Sequence, residues 1–169
     1  MKSNSPVEDI FAQVQGLLGF VPNLYKEMSK APSVLSVYHK GQESLSQGAL
    51  TAKEQQVVQL TVAVYNDCRY CKAAHQWLGQ KMGLSQDEIQ EIRSRLSQQT
   101  DMQVANLVRA TKLILENRGW LDPEELTRLE QQGISRAKLY EIIAYIGLKT
   151  ISTYINHIAE TPIDEQFNS

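Results

Sequence analysis

Apolar residues recur at three- and four-residue intervals along almost the whole chain, the spacing that lines one face of an α-helix. Val7, Ile10, Phe11, Val14 and Leu18 form one such stripe, and Leu139, Ile142, Ile143 and Ile146 form another. Helix start signals precede the stripes. In SPVE, Ser5 stands at the N-cap, Pro6 at the first helical position and Glu8 three residues after the cap. TAKE (Thr51 to Glu54), SQDE (Ser85 to Glu88) and DPEE (Asp122 to Glu125) repeat that spacing. Gly19, Gly48, Gly83, Gly119 and Gly133 fall where helices should stop. The pattern predicts helices over 6–18, 22–30, 33–47, 52–65, 68–82, 86–97, 102–118, 123–131 and 136–159. Connections of a few residues suit antiparallel helical neighbours. Nothing alternates with the period of a strand, and no βαβ rhythm appears. The predicted fold class is an all-α bundle of about nine helices.

Two segments resemble each other faintly. QQVVQLTVAVYNDCRYCKAAH and AKLYEIIAYIGLKTISTYINH both run apolar and end in a histidine, His75 and His157. Aligned on those histidines, Thr150 and Thr153 fall where the first segment has its cysteines, as a degenerate internal repeat would place them.

Composition narrows the function. A chain of 169 residues fits one domain and buries enough surface to fold without a disulfide or metal staple. Charged residues make up 21%, the formal net charge is −2, and no run of Lys or Arg stands out. Nucleic acid and anionic membrane surfaces are therefore poor partners. No stretch reaches the roughly 18 apolar residues of a membrane span. The opening MKSNSPVEDIF lacks the apolar core of a signal peptide, so a cytoplasmic location is expected. In a reducing compartment, two cysteines suit reactivity or metal binding better than a permanent staple.

Both cysteines lie in NDCRYCKAAH, residues 66–75. If a helix starts there with Asn66 or Asp67 as its cap, Cys68, Cys71 and His75 share one face at spacings of three and four. The helix N-terminus, with Arg69 and Lys72 close by in sequence, favours a thiolate. A CxxC pair closes across one helical turn, and a histidine one turn on can carry a proton. Such a set suits peroxide reduction or disulfide exchange. A thioredoxin fold is excluded, because its CxxC follows a strand. Zinc fits less well: there is no second CxxC, and roughly 10 Å of helix rise, at about 1.5 Å per residue, separates Cys68 from His75. Packing of all three as ordinary core residues is the remaining reading.

Residues 50–75, LTAKEQQVVQLTVAVYNDCRYCKAAH, resemble the signature of the alkylhydroperoxidase D-like (AhpD-like) branch of the carboxymuconolactone decarboxylase superfamily. GLSQDEIQEI resembles the next helix of that branch, and GISRAKLYEIIAYIGLKTISTYINHIAETPID its C-terminal helix with the closing TP-x-D. LLGFVPNLYKEMSKAP resembles the N-terminal extension of the peroxidase-related members. The resemblance implies a single domain over 1–169, with a helical extension (1–48), a core carrying the CxxC (49–97) and C-terminal helices (98–169). It also implies a homo-oligomer that reduces hydroperoxides through thiols. Cys71 would attack the peroxide, Cys68 would resolve the sulfenic acid to a disulfide, and His75 would relay the proton. A lipoyl-bearing or thioredoxin-like protein would restore the thiols; no cofactor or metal is expected. Helix electrostatics alone favours Cys68 as the more acidic thiol, whereas the resemblance assigns the attack to Cys71. Gln56 stands where the branch has a relay glutamate, so activity is expected to be weak and Gln56→Glu to raise it. Glu54 is expected to serve the Thr51 cap, and Asp67 to cap the cysteine helix.

Two other classes compete: a redox-sensing module whose CxxC switches an interface without turnover, and a lactone decarboxylase of the same superfamily, against which the CxxC counts. Among the remaining residues, His39 is expected to pack or face solvent, and His157 to lie in a helix interior or interface. Tyr65 and Tyr70 are read as pocket wall. Trp77 and Leu78 are read as core or oligomer interface, and Leu107, Val108, Leu113 and Ile114 as core.

Overall fold

The computed structural model describes residues 5–94, 96 and 99–168, and among these it contains helices and no strand. The helices are α1 (Pro6–Leu18), α2 (Asn23–Met28), α3 (Pro32–Leu45), α4 (Ala52–Tyr65), α5 (Arg69–Lys81), α6 (Gln86–Ser94), α7 (Met102–Asn117), α8 (Pro123–Gln131) and α9 (Arg136–Ala159), followed by a 3₁₀ turn, Glu165–Asn168. Each helix that the pattern predicts is present, its ends shifted by a residue or two. At α6, positions 95 and 97 of the predicted range lie outside the described residues, as does the segment boundary drawn at 97–98.

The caps explain why the ends are so legible. Ser5 and Thr51 accept from the backbone of Glu8 and Glu54, whose carboxylates bond back to the cap N–H groups. Ser85 and Glu88 do the same at α6, at 3.2 and 2.7 Å. Asp122 accepts from Glu125 N–H at 2.7 Å, but the Glu125 carboxylate turns away to Arg109. Each such cap stabilises its helix by about 1 kcal/mol. Glu54 does cap Thr51, and it also pairs with Lys138 of α9 at 2.5 Å.

Helix α4 is the axle of the bundle. It packs against α5, α6, α7 and α9, and every residue from Glu54 to Ala63 is buried. Its glutamines are therefore interior groups that must find partners. Gln55 donates to the Leu50 carbonyl at 2.8 Å, and Gln59 accepts from Gln42 at 3.1 Å. Two apolar cores flank the axle. One joins α4 to α6, α7, α8 and α9 through Leu60, Ile92, Leu107, Val108, Leu129 and Ile142. The other gathers Ile10, Met28, Leu35, Tyr70, Leu148 and Phe167 around the two cysteines. Leu113 and Ile114 also pack into the first core.

Two tight places depend on backbone freedom. At Gly48 an added Cβ would run into the Glu141 carboxylate, which accepts from Ala49 and Leu50 N–H at 2.6 and 2.9 Å and so ties the turn to α9. Between α4 and α5 the chain reverses through Asp67 at φ 51°, a left-handed conformation that Asp tolerates better than most residues. The reversal gives the faint repeat a different shape in its two copies. Residues 55–75 turn at Asn66–Cys68, whereas residues 137–157 run unbroken through α9.

Candidate functional site

The cysteine helix starts two residues later than a cap at Asn66 predicts. Asn66 closes α4, Asp67 makes the reversal, and Cys68 itself is the N-cap of α5. Its sulfur accepts from Cys71 N–H at 3.2 Å, the bond that a serine or aspartate oxygen usually makes. Cys68 and Cys71 are paired as a disulfide with their Cα atoms 5.2 Å apart. Asp67 does not cap. Its carboxylate lies in solvent and pairs with Lys72 at 2.6 Å, and that ammonium holds the carboxyl below its usual range. Arg69 is exposed, and half-buried Lys72 is engaged by Asp67, so neither cation is seen bonded to a sulfur among the described residues.

The groups that do face the sulfurs come from α9. Asn156 Nδ2 is 3.5 Å from Cys71 Sγ and 4.0 Å from Cys68 Sγ, and Thr153 Oγ1 is 3.6 Å from Cys71 Sγ. These weak donors would support a thiolate or sulfenate in the reduced and intermediate states.

His75 is buried one turn beyond Cys71, as the spacing predicts. Its Nδ1 lies 3.0 Å from Gln56 Oε1, and its Nε2 lies 2.8 Å from Lys149 Nζ. An amide oxygen only accepts, so Nδ1 carries the hydrogen and Nε2 offers its lone pair to Lys149. Both ring nitrogens are engaged, and neither is free to ligate a metal. Among the described residues no three His, Cys, Asp or Glu side chains converge as a metal site. Burial, then the Lys149 charge, lowers His75 well below the ordinary histidine range, so it is neutral.

Lys149 is 1% exposed, and among the described residues its Nζ bonds to His75. Burial pulls its ammonium down from 10.5 to about 7. The pattern of α9 carries a signal for this residue, which the sequence reading above passes over. In α9, Leu139, Ile142, Tyr145, Lys149, Ser152, Thr153 and Asn156 all fall on the buried face, so the lysine stands where the apolar half of that face gives way to a polar half.

A cavity of about 700 Å³ opens beside these groups. Apolar side chains dominate its wall, among them Val14, Leu18, Leu24, Tyr25, Leu78 and Phe167, whereas Gln56, His75 and Lys149 gather with Cys71. Cys71 is on the wall and Cys68 is not. His39 also lines the cavity. It is buried, with Nε2 2.8 Å from Gln13 Oε1, and burial lowers its pKa. Tyr70 is wall, but Tyr65 is exposed at 43% and lies outside. His157 is exposed in the last turn of α9, away from the interior. Trp77 packs on Phe20 and Phe167 in an aromatic cluster under α5.

The closing TPID segment locks the cavity's floor. Tyr70 Oη donates to Asp164 Oδ2 at 2.6 Å and accepts from Leu24 N–H at 3.2 Å. Asn23 N–H donates to the same carboxylate at 3.1 Å, so Asp164 caps α2 from the other end of the chain. Burial, reinforced by the Asp164 hydrogen bond, keeps the Tyr70 hydroxyl protonated.

Residues 36–112 match the model of the carboxymuconolactone decarboxylase family. No curated protein matches the chain in sequence. Among solved structures, a peroxidase-related protein from Ralstonia eutropha JMP134, described as an alkylhydroperoxidase AhpD core, superposes with a TM-score of 0.86 at 16% identity, over 95% of this chain and 86% of that one. A peroxidase-related protein from Silicibacter sp. TM1040 gives 0.82 at 14% identity, over 100% and 90%. The debrominase Bmp8 gives 0.73 at 15%, over 96% and 88%.

Proposed function

We propose that this chain, which belongs to the carboxymuconolactone decarboxylase family and has the AhpD-like fold, reduces organic hydroperoxides through its CxxC pair. One observation carries the reading: of the two disulfide-paired cysteines, Cys71 is on the wall of an apolar cavity that His75 also lines. In the reduced enzyme the Cys71 thiolate attacks one peroxide oxygen, and the O–O bond breaks. The other oxygen leaves as an alcohol once protonated, and Cys71 becomes a sulfenic acid. The Cys68 thiol then attacks that sulfur, water leaves, and the disulfide seen here remains. An external dithiol, such as a lipoyl-bearing or thioredoxin-like protein, supplies the two electrons that restore both thiols. His75 holds Lys149 at the site through the bond between its Nε2 and the lysine Nζ. Peroxidase-related structural relatives support the reading, and the debrominase shows that this fold also hosts other chemistry.

The test is a thiol count. One equivalent of cumene hydroperoxide should remove two thiols per chain rapidly, and dihydrolipoamide should restore them over many cycles. A slow, single oxidation without recovery would instead mark a sensor. The cavity also predicts selectivity. Burying the ring of cumene hydroperoxide at about 25 cal/mol per Å² should raise kcat/KM roughly ten- to a hundredfold over hydrogen peroxide. Equal values for the two substrates would argue against the cavity as the substrate site.

A further inference from the structure

We propose that Lys149 is the catalytic acid–base of this site, taking the proton from the Cys71 thiol and delivering it to the oxygen that leaves the peroxide. The inference rests on the peroxidase reading and assigns the proton within it. Three observations carry it. Lys149 is buried with no carboxylate partner among the described residues, it lines the same cavity as Cys71, and its Nζ is held 2.8 Å from His75 Nε2.

The surroundings select this amine over its neighbours. From α5 the titratable groups are Tyr70, whose hydroxyl burial and Asp164 keep protonated, Cys71 and His75, and the imidazole already directs its lone pair at Nζ. Helix α4 presents amides, Gln56 and Gln59, while its buried Glu54 is committed to Lys138. Helix α3 contributes Tyr38, His39 and, on the exposed side, Glu43, and α2 contributes Tyr25. Burial holds both tyrosine hydroxyls protonated. Helix α7 has no residue on the cavity wall. Lys149 is thus the cavity-wall group, among the described residues, that is buried against His75, has no carboxylate partner and can titrate near neutrality, whereas His39 is bonded to Gln13.

The proton balance closes on this residue. The neutral amine removes the S–H proton and becomes an ammonium beside the thiolate. The thiolate electron pair forms the S–O bond and the O–O bond breaks. The ammonium then returns its proton to the departing alkoxide, so thiol plus hydroperoxide become sulfenic acid plus alcohol with Lys149 unchanged. Throughout, one N–H remains available to His75 Nε2. His75 is therefore a positioning residue, and Gln56 fixes its tautomer without needing a carboxylate. Lys149 supplies what the amide at position 56 lacks, so weak activity no longer follows from Gln56.

The test combines Lys149→Met with Lys149→Gln, which keeps a donor for His75 but cannot titrate. In the wild type, the single-turnover rate with cumene hydroperoxide and the rate of Cys71 alkylation by iodoacetamide should both rise through an acidic limb near pH 7. Either variant should lose that limb, and the peroxide step should slow roughly 10²- to 10⁴-fold. Folding is not at risk: an unpaired buried amine opposes stability below the unfolded lysine's pKa, so Lys149→Met should melt at or above the wild type. Gln56→Glu, by stabilising charge on the His75–Lys149 pair, should move the limb to higher pH. Retention of the limb and of the rate within threefold in Lys149→Met, while Cys71→Ser is inactive, would overturn the assignment and leave the peroxidase reading standing. The alkylation arm needs no peroxide, so it decides on Lys149 even if wild-type turnover is absent.

Discussion

Serine in place of Cys71 should lower peroxide turnover by roughly three orders of magnitude or more, as removal of a covalent nucleophile does. Serine in place of Cys68 should allow one rapid oxidation and then stall. The physical contest is between acidity and access. Cys68, as N-cap of α5, has its sulfur against the first backbone N–H groups, which favours a thiolate there. Yet Cys68 is 1% exposed and is not on the cavity wall, so Cys71 stands between it and the cavity contents. Cys71 is equally buried from bulk solvent, but it faces the cavity and has Asn156 and Thr153 beside its sulfur. Access should win, because an unreachable thiolate cannot attack. The check is dimedone labelling after one equivalent of cumene hydroperoxide. Cys68→Ser should carry one adduct at Cys71, and Cys71→Ser none. Rapid labelling of Cys68 in the Cys71→Ser variant would reverse the roles.

Asp164→Ala should destabilise the protein by about 3 kcal/mol, because it removes the acceptor of one buried and one part-buried charge-assisted hydrogen bond. Tyr70 Oη and Asn23 N–H both end on that carboxylate, so the loss is felt in α5 and α2 together. For a domain of this size the melting temperature should fall by about 6–12 °C. Tyr70→Phe should cost less, about 1–2 kcal/mol, because Asp164 keeps its bond to Asn23. The two changes share a partner, so the double variant should cost less than their sum. Pro22, Leu24 and Phe167 adjoin this knot and line the cavity, so Asp164→Ala should also weaken discrimination for cumene hydroperoxide over hydrogen peroxide. Thermal melts of the three variants settle the matter. A melting temperature within about 2 °C of the wild type for Asp164→Ala would mean that the carboxylate is not an anchor.

The helices were legible because their signals are local. A serine or threonine cap, a glutamate three residues on and an apolar stripe act within one or two turns, and the residues around Ser5, Thr51 and Ser85 fold as their spacing says. The cap of α5 was misplaced for a related reason. Asn66 and Asp67 have better intrinsic capping chemistry than cysteine, but the packing of α4 on α5 puts the reversal at Asp67 and leaves Cys68 at the helix start. Arg69, Lys72 and Asp67 are close in sequence to the cysteines, but Arg69 and Asp67 lie in solvent and Lys72 is paired with Asp67.

The order of residues by itself determined the all-helical architecture, the pairing reach of Cys68 and Cys71 and the placement of His75 on their helix. All of these are set by periodicities of three and four along one element. Tertiary structure alone decided which sulfur meets the cavity, that Asp164 anchors Tyr70 and α2, and that Lys149 lies against His75 from 74 residues away. A buried polar group declares its role only through the partner that satisfies it, and the packing of α9 on α4 and α5 chooses that partner.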